Sequence, residues 1–433
     1  MDALLGNEEN YGSYRVLGNL SISYDVPDST EYRRTLDLST GLYTTRFTTS
    51  GRQLKTSVFC SYPDGICVYD ISSDSSSLPS ISISLENQLV SSDLIETTCG
   101  DRHARLTGVT QKGPPEGLKY DAIARISDHF SGTLDCSDAG ILVVTPAADE
   151  TSIAIIIGAS TNYDQSKGDA ANDFSFKGPD PGDYVEKVTS DGAAQTLEGL
   201  IDRHQADYSS LEAAFSLDIP DLYGSSDKET AQLIASYNED SSGDPFVEAL
   251  LFDYSRYLLI SSSRDNSLPA NLQGRWTEEV EAAWSGDYHV NINIQMNYWA
   301  ADQTGLWATE PALWDFMRLN LVPRGTETAH LLYNASGWVV HHASNIYGYT
   351  GMGSDAGWAN CKIGTPLRYR TQTDTFQTRR LRHGWCSMYG ITSTMPRTQT
   401  GLGRSATLYS KVSLSSGCLN SKMTSSQMMG PSW

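Results

Sequence analysis

The first 160 residues alternate between apolar and polar positions, and turn-forming residues interrupt the alternation at short intervals. Apolar or small side chains fall on one face at every second position of residues 20–26 and 54–60. Further apolar runs of strand length occupy residues 81–85, 122–126, 141–144 and 153–157. A period of two is typical of half-buried β-strands, and Ser-, Gly-, Asp- and Pro-rich turns separate these runs. The pattern predicts an N-terminal antiparallel β-sandwich.

The apolar period changes from 2 to 3.6 after the Gly- and Pro-rich segment 177–182, beginning with Leu197, Leu200 and Ile201. Two helix starts are predicted next. Ser226 stands three residues before Glu229, which is the spacing of a capping box, and Asp244 precedes Pro245 as an N-cap precedes a first-turn proline.

Two later helices are predicted at residues 310–319 and 323–333, joined by a short connection. Successive helices with short loops and no intervening strands indicate an all-α barrel or bundle. Residues 361–433 fit neither pattern, because 22 of these 73 residues are Ser or Thr and the apolar positions show no period. Two interpretations remain open for this segment: an irregular basic tail, or a segment read in a shifted frame.

The charge of the chain limits its partners. The net charge is −21 over 433 residues, which repels nucleic-acid phosphates and anionic membrane surfaces. Residues 361–433 alone carry ten Lys or Arg and one acid, Asp374. We therefore expect no nucleic-acid partner and no membrane partner.

Signals for secretion point in two directions. Near Met1 there is no basic start followed by an apolar core, and no run of about 18 apolar residues occurs, so neither a signal peptide nor a membrane span is expected. Asn19-Leu20-Ser21 and Asn334-Ala335-Ser336 are nevertheless glycosylation sequons.

The seven cysteines are an odd number with no CxxC pair, which argues against a zinc knuckle or a redox motif. Cys60 and Cys67 flank the turn signal Pro63-Asp64-Gly65 and are candidates to pair across a hairpin. The pattern of the other cysteines leaves their pairing open.

The chemistry is concentrated in three segments, residues 268–276, 284–299 and 337–342. They resemble catalytic-domain segments of glycoside hydrolase family 95, typified by 1,2-α-L-fucosidases, which have a strongly similar N-I-N-x-x-M-N-Y-W string at the sugar pocket. The string occupies residues 291–299 here. The resemblance extends through residues 14–20 and 36–41, which look like the family's N-terminal β-domain, and covers residues 3–360.

This resemblance implies a multidomain β + α fold class. The N-terminal antiparallel β-sandwich is expected at residues 1–180, a helical linker at 181–222, and the first part of an (α/α)6 catalytic barrel at 223–360. The irregular or mis-framed tail at 361–433 follows.

The resemblance also implies site residues. Asn291 and Asn293 match paired asparagines that hold the attacking water, and His289 matches a histidine that contacts the fucose. His341 and His342 match a histidine pair near the pocket, although adjacent residues on a helix point about 100° apart and cannot both face one ligand. Independently of the resemblance, Trp299, Trp338 and Trp358 are candidates to stack against the apolar face of a sugar, although tryptophans near helices are typically core residues. Trp358, after Gly357, has a loop-like setting and is the one assigned to substrate binding.

The sequence departs from the family pattern in its acids. An inverting glycosidase needs a proton donor and a group that activates water, usually two carboxyls, whereas an amide orients water but cannot accept its proton at neutral pH. In the family a downstream aspartate and glutamate take these roles. Glu327 is the last glutamate here, and no residue matches either role. Glu278, Glu279, Glu281 and Asp287 lie nearby, but the three clustered glutamates are typical of a solvated loop.

We therefore expect a glycoside hydrolase that releases terminal α-L-fucose from oligosaccharides or polysaccharides with inversion. No metal and no other cofactor is implied, and the family and the sequons imply an extracellular location. The alternative is a catalytically inactive sugar-binding fragment that lacks the general acid. A phosphorylase or hydrolase of another sandwich-plus-barrel family ranks last, because no phosphate-binding loop or paired-carboxylate motif is evident.

Overall fold

A computed structural model describes residues 16–26, 29–74, 78–87, 91–237, 243–272, 276, 286–351 and 362–363. The chain separates into two compact units. One is built mainly on Arg15–Ser261 and the other mainly on the residues from Ser262 onward. Each unit is described by itself below.

Twelve described strands form the β-sandwich of the first unit. They are β1 (Asn19–Tyr24), β2 (Thr30–Asp37), β3 (Leu42–Thr49), β4 (Arg52–Ser61), β5 (Ile66–Ser73), β6 (Ile81–Glu86), β7 (Ile95–Gly100), β8 (His103–Val109), β9 (Lys119–Ile126), β10 (Thr133–Cys136), β11 (Leu142–Thr145) and β12 (Ser152–Thr161). Eight strands form one sheet in the order β2-β3-β4-β5-β12-β9-β8-β7, and four form the other in the order β1-β6-β11-β10. The pairings within these two sheets are antiparallel.

The alternation in the sequence decides which side chains fill the space between the sheets. Ile81, Ile83 and Leu85 of β6 are buried there together with Leu54 of β4 and Ile155 of β12. Because successive strand residues point to opposite faces, one residue in two reaches this core. The six apolar runs that the sequence marks as strands are confirmed.

The large sheet is covered on its second face by two helices, α1 (Gly182–Ala193) and α2 (Leu197–Glu212). Phe59, Val68 and Ile156 form a second apolar cluster with Ala193 of α1 and Leu200 of α2. Burial on both faces explains why residues 153–157 are an unbroken apolar run rather than an alternating one.

Two disulfides lie in the sandwich. Cys60–Cys67 joins β4 to β5 at paired positions, which confirms the expected link across the hairpin. Cys99–Cys136 joins β7 to β10 and therefore connects the two sheets. No local pattern pointed to the second bond, since its cysteines are 37 residues apart.

The helices α3 (Thr230–Ser236) and α4 (Pro245–Ser262) complete the first unit. The start at Pro245 is confirmed, because the Phe246 N–H donates to Asp244 Oδ1 over 3.1 Å. The predicted capping box at Ser226 is wrong: α3 begins at Thr230, and Glu229 makes no side-chain cap. The nearby backbone N–H groups of Ser225 and Ser226 donate instead to Asp221, a local side-chain acceptor that holds them in a tight turn.

The second unit contains the helices α5 (Asn293–Tyr298), α6 (Pro311–Phe316) and α7 (Val322–Tyr333). A connection between two helices was expected before Pro323, and this prediction is wrong. A π-helical turn, Met317–Leu321, joins α6 to α7 without interruption. Proline has no N–H to donate to the preceding turn, and the changed hydrogen-bond spacing of a π turn accommodates such a local irregularity.

The second unit also contains two short ladders: β13 (Tyr288–His289), which precedes α5, pairs with β15 (Ala343–Ser344), and β14 (Val340–His341) pairs with β16 (Lys362–Ile363). The chain is thus an N-terminal antiparallel β-sandwich followed by a helical region, as the predicted fold class requires. Within the described part of the chain, no helix is both long and apolar enough to cross a bilayer.

Candidate active site

A two-residue ladder brings together segments that lie more than 50 positions apart in the sequence. Tyr288 pairs with Ser344 and His289 with Ala343. Beyond the ladder the Val290 N–H donates to the His342 carbonyl oxygen over 2.8 Å. The rings of His289 and His342 consequently face each other edge to face, with centroids 6.1 Å apart.

Asp287 orients the imidazole of His289. Its Oδ1 lies 2.8 Å from His289 Nδ1, and the two side chains are only 6% and 16% exposed. This separation is an ion-pair distance. The carboxylate of Asp287 therefore lies directly against the imidazole and restricts where the ring lies.

Asn291 and Asn293 occupy the turn into α5 and its first residue. The Oδ1 atom of Asn291 is buried and has no hydrogen-bond partner among the described residues. Gln295 holds the same turn by donating from Nε2 to the Val290 carbonyl oxygen over 2.8 Å. A buried amide oxygen that lacks a protein donor is suited to accept a hydrogen bond from a water or a sugar hydroxyl.

Tyr288 and Tyr298, on either side of Asn291 and Asn293, hold the neighbouring backbone in place through their hydroxyl groups. Tyr288 is fully buried, and its hydroxyl donates to the Pro269 carbonyl oxygen over 3.0 Å. The Tyr298 hydroxyl accepts from the Ala270 N–H at 2.9 Å and pairs with Ser263 Oγ at 2.6 Å. These contacts join Pro269 and Ala270 to Tyr288 and Tyr298. Reasoning from the sequence did not assign a role to Ser263 or to either tyrosine.

His341 and His342 occupy different environments. His341 is fully buried, and its two ring nitrogens lie 2.7 Å from Tyr333 Oη and 2.8 Å from the Thr350 carbonyl oxygen. The helical setting assumed for the pair is wrong, since His341 ends β14 and β15 begins at Ala343. In extended backbone, successive side chains point to opposite faces. His342 thus faces His289, whereas protein groups occupy both nitrogens of His341.

Gly325, in the middle of α7, lets the chain at Val339, just before His341 and His342, pass close to that helix. The Val339 N–H donates to the Gly325 carbonyl oxygen over 3.0 Å. A Cβ added at Gly325 would lie 2.7 Å from the Val339 carbonyl oxygen, a distance that real contacts do not reach. Gly325 is therefore required for the approach that positions His342.

Several candidate residues have no described environment. Trp358, Glu278, Glu279 and Glu281 lie outside the described residues. Asp287 is described, and its burial against His289 distinguishes it from the solvated loop that the sequence suggested. The roles assigned to Asn291, Asn293, His289, His341, His342 and Trp358 in sugar binding and catalysis stay predictions.

Trp299, which follows α5, is 47% exposed and is not a core residue. Among the described residues, no group of three or more His, Cys, Asp or Glu is arranged to hold a metal ion.

Comparison with known families agrees with the two structural parts. Residues 196–380 match the catalytic domain of glycosyl hydrolase family 95. Residues 1–166 match the N-terminal domain described for glycosyl hydrolase family 65. The first match contains the whole Asp287–Asn293 segment, and the second contains the sandwich strands.

The similarity to curated relatives extends over most of the chain. Probable alpha-fucosidase A of Aspergillus oryzae is 47% identical over 350 residues, which is 80% of this chain and 48% of the relative. Probable alpha-fucosidase A of Aspergillus niger is 44% identical and matches 83% of this chain and 45% of the relative. Alpha-L-fucosidase 2 of Arabidopsis thaliana is 29% identical and matches 81% of this chain and 43% of the relative. The chain spans about half the length of these relatives.

The family match and the relatives agree with each other and with the motif geometry. Residues 196–380 are thus similar to the catalytic domain of glycosyl hydrolase family 95, and about 80% of the chain is similar to a stretch that covers about half of each of two curated alpha-fucosidase sequences.

Proposed function

We propose that the protein acts on glycans with a terminal α-L-fucose and hydrolyses that linkage with inversion. One observation carries the proposal: the buried Asp287–His289 pair and the Asn291–Asn293 turn lie together in a segment homologous to the alpha-fucosidases. Inverting hydrolysis needs a water held on the ring face opposite the leaving group. The two asparagines would hold that water, and His289 would contact the fucose.

Proton transfer needs residues beyond this turn. The amides of Asn291 and Asn293 orient water but take no proton at neutral pH, so a carboxylate must polarise the water and a carboxylic acid must protonate the leaving oxygen. Asp287 already pairs with His289, and its role here is to position that ring. The resemblance puts the proton-transfer groups in the second half of the catalytic domain.

A second candidate, sugar binding without hydrolysis by the 433 residues themselves, is favoured by one observation. Glu327, the last glutamate of the sequence, lies on α7 with its side chain 58% exposed and pairs with Arg324 on the same helix. An exposed, paired carboxylate lacks the burial that is typical of a general acid.

The test compares the wild-type chain, Asn293→Ala and the control Asn172→Ala, whose asparagine lies in the sandwich unit. Each protein is incubated with a fucosyl-α1,2-galactose oligosaccharide, and free fucose and sugar binding are measured. We expect Asn293→Ala to lower kcat by at least 100-fold and Asn172→Ala to leave it unchanged. Binding without fucose release by the wild type would support the second candidate. Release that Asn293→Ala does not affect would refute the role of the asparagines.

We also propose an extracellular location. Two disulfides in the sandwich suit an oxidising compartment, and both sequon asparagines, Asn19 and Asn334, are exposed. Expression through a eukaryotic secretory pathway, followed by treatment with an N-glycan-releasing amidase, tests this. We expect a mass decrease that Asn19→Gln and Asn334→Gln together abolish. An unchanged mass would contradict modification at these sites.

A further inference from the structure

A cavity of about 210 Å³ lies in the first unit, where the large sheet meets the start of α2. Asp70 of β5, Ala154 of β12 and Leu197 of α2 line it, together with His129 and Glu150 from loops. This volume is below the roughly 300–1,000 Å³ of pockets that hold drug-sized ligands, so the cavity suits a smaller molecule.

Asp70 is the most informative residue of this cavity. It is only 6% exposed, and its Oδ1 is buried without a hydrogen-bond partner among the described residues. Strand alternation places Asp70 on the same side as Val68, which is the side that the helices cover. Burial raises the pKa of Asp70 to about 6, and the positive charge of Lys55 opposes this shift only in part. Above that pH the cavity wall holds an incompletely compensated negative charge.

Glu150 adds a second carboxylate to the lining. Its Oε2 accepts from the Ser131 N–H at 3.1 Å and from the Ser131 hydroxyl at 2.8 Å, which fixes its position. None of the described lining residues is Lys or Arg, and His129 is the one basic side chain among them. A ligand that enters this cavity therefore meets two carboxylates and is favoured if it is a cation.

The rest of the wall combines hydroxyl-bearing and apolar residues. Ser127, Ser152 and Thr196 line it, and Phe130, Ala154 and Leu197 form an apolar patch. An apolar patch next to a carboxylate matches an amphipathic ligand, with a charged donor at one end and a short hydrocarbon stem at the other. The described residues offer no cluster of three or more metal ligands.

We propose that this cavity is a second binding site, independent of the glycan site, for a compact primary ammonium ion with a short apolar stem. Its ammonium group donates to Asp70 and Glu150, and its stem contacts Phe130 and Leu197. The site belongs to the β-sandwich and requires neither Asn291 nor Asn293. The proposal consequently stands or falls separately from fucoside hydrolysis.

The test uses the full chain at pH 7.5 and isothermal titration calorimetry with three probes that each contain four carbon atoms. They are n-butylamine, which is protonated at this pH, the neutral n-butanol and the anionic butyrate. We expect butylammonium to bind and the other two to bind at least tenfold more weakly, a difference of about 1.4 kcal/mol. Equal affinity for butanol would overturn the assignment, because the cavity would then be only an apolar void.

Two variants localise the binding. Asp70→Asn keeps the side-chain shape and removes the charge, and Asp191→Asn is the matched control, since Asp191 is exposed and pairs with Lys187 on the surface of α1. We expect Asp70→Asn to weaken butylammonium binding at least tenfold and Asp191→Asn to leave it unchanged. Circular dichroism verifies that both variants fold. Binding that Asp70→Asn does not weaken, or no butylammonium binding by the wild type, would refute the proposal.

Discussion

At the residue scale, burial decides what each polar side chain of this protein can do. Asp287 and Asp70 are both buried aspartates, yet Asp287 Oδ1 lies at an ion-pair distance of 2.8 Å from His289 Nδ1, whereas Asp70 has no such ion-pair partner among the described residues. A paired carboxylate positions another group. An unpaired one destabilises the fold in its charged form or receives a ligand.

The burial of Asp70 therefore predicts that the free energy of unfolding depends on pH. Its pKa is raised from 3.8 to about 6, so the folded state keeps the proton in a pH window where the unfolded state has lost it. The free energy of unfolding falls as the pH rises from 3.8 to about 6. Above about pH 6 the whole of this stability has been lost. The shift corresponds to about 3 kcal/mol.

We expect Asp70→Asn to be about 1–3 kcal/mol more stable than wild type at pH 7.5 and to lose this advantage near pH 4. Urea unfolding of the full chain at both pH values measures the difference. Asp191→Asn is the control, because an exposed, ion-paired carboxylate changes stability by about 0.5 kcal/mol or less. An Asp70→Asn variant that is no more stable than wild type at pH 7.5 would contradict the assigned pKa.

At the element scale, helix ends and turns depend on contacts that their own sequence does not contain. The C-terminal end of α2 is an example, because the buried guanidinium of Arg256 on α4 donates from Nη2 to the carbonyl oxygens of Leu211 and Glu212, each over 2.9 Å. The last carbonyls of a helix have no partner within it and carry partial negative charge. Arg256 thus joins two helices and satisfies one helix terminus.

We expect Arg256→Met to lower the free energy of unfolding by about 2–4 kcal/mol, because methionine retains much of the apolar stem but leaves buried carbonyls without a donor. Arg318→Met is the matched control. Arg318 is exposed and pairs only locally with Asp315 on the neighbouring helical turn, so its loss is expected to cost about 0.5 kcal/mol or less. Chemical denaturation measures both variants, and equal effects would mean that the guanidinium contributes little at the end of α2.

At the scale of the whole molecule, the sandwich is held by covalent links as well as by its core. The Cys99–Cys136 bond spans 37 positions and connects the two sheets, whereas Cys60–Cys67 spans 7 positions within one hairpin. A disulfide restricts the unfolded chain more strongly when it closes a longer loop.

We expect the double substitution Cys99→Ser with Cys136→Ser to destabilise the fold by about 4 kcal/mol, and Cys60→Ser with Cys67→Ser by about 2.5 kcal/mol, on the chain-entropy estimate. Thermal unfolding under non-reducing conditions compares the two, and a reducing agent serves as the control because it should abolish the difference. A larger loss from the shorter loop would show that strain or local packing, rather than chain entropy, governs these bonds.

Local patterns in the sequence were sufficient for a large part of the architecture. The runs at residues 81–85 and 153–157 predicted strands correctly, and the Asp244-Pro245 pair predicted the start of α4. The same kind of reasoning failed at Ser226 and before Pro323. In both places the outcome depended on which of several competing hydrogen-bond partners the folded chain supplies.

The strand periodicity, the change to helices and the Asn291–Trp299 string, which resembles that of glycoside hydrolase family 95, follow from the sequence alone. These features are local, so neighbouring residues are sufficient to specify them. Other features become visible only in the folded chain. Asp287 and His342 both lie next to His289. His341 is enclosed by Tyr333 and Thr350, and Asp70 is buried at a cavity. Burial and pairing depend on residues distant in sequence, and strand register and helix packing bring those residues into contact.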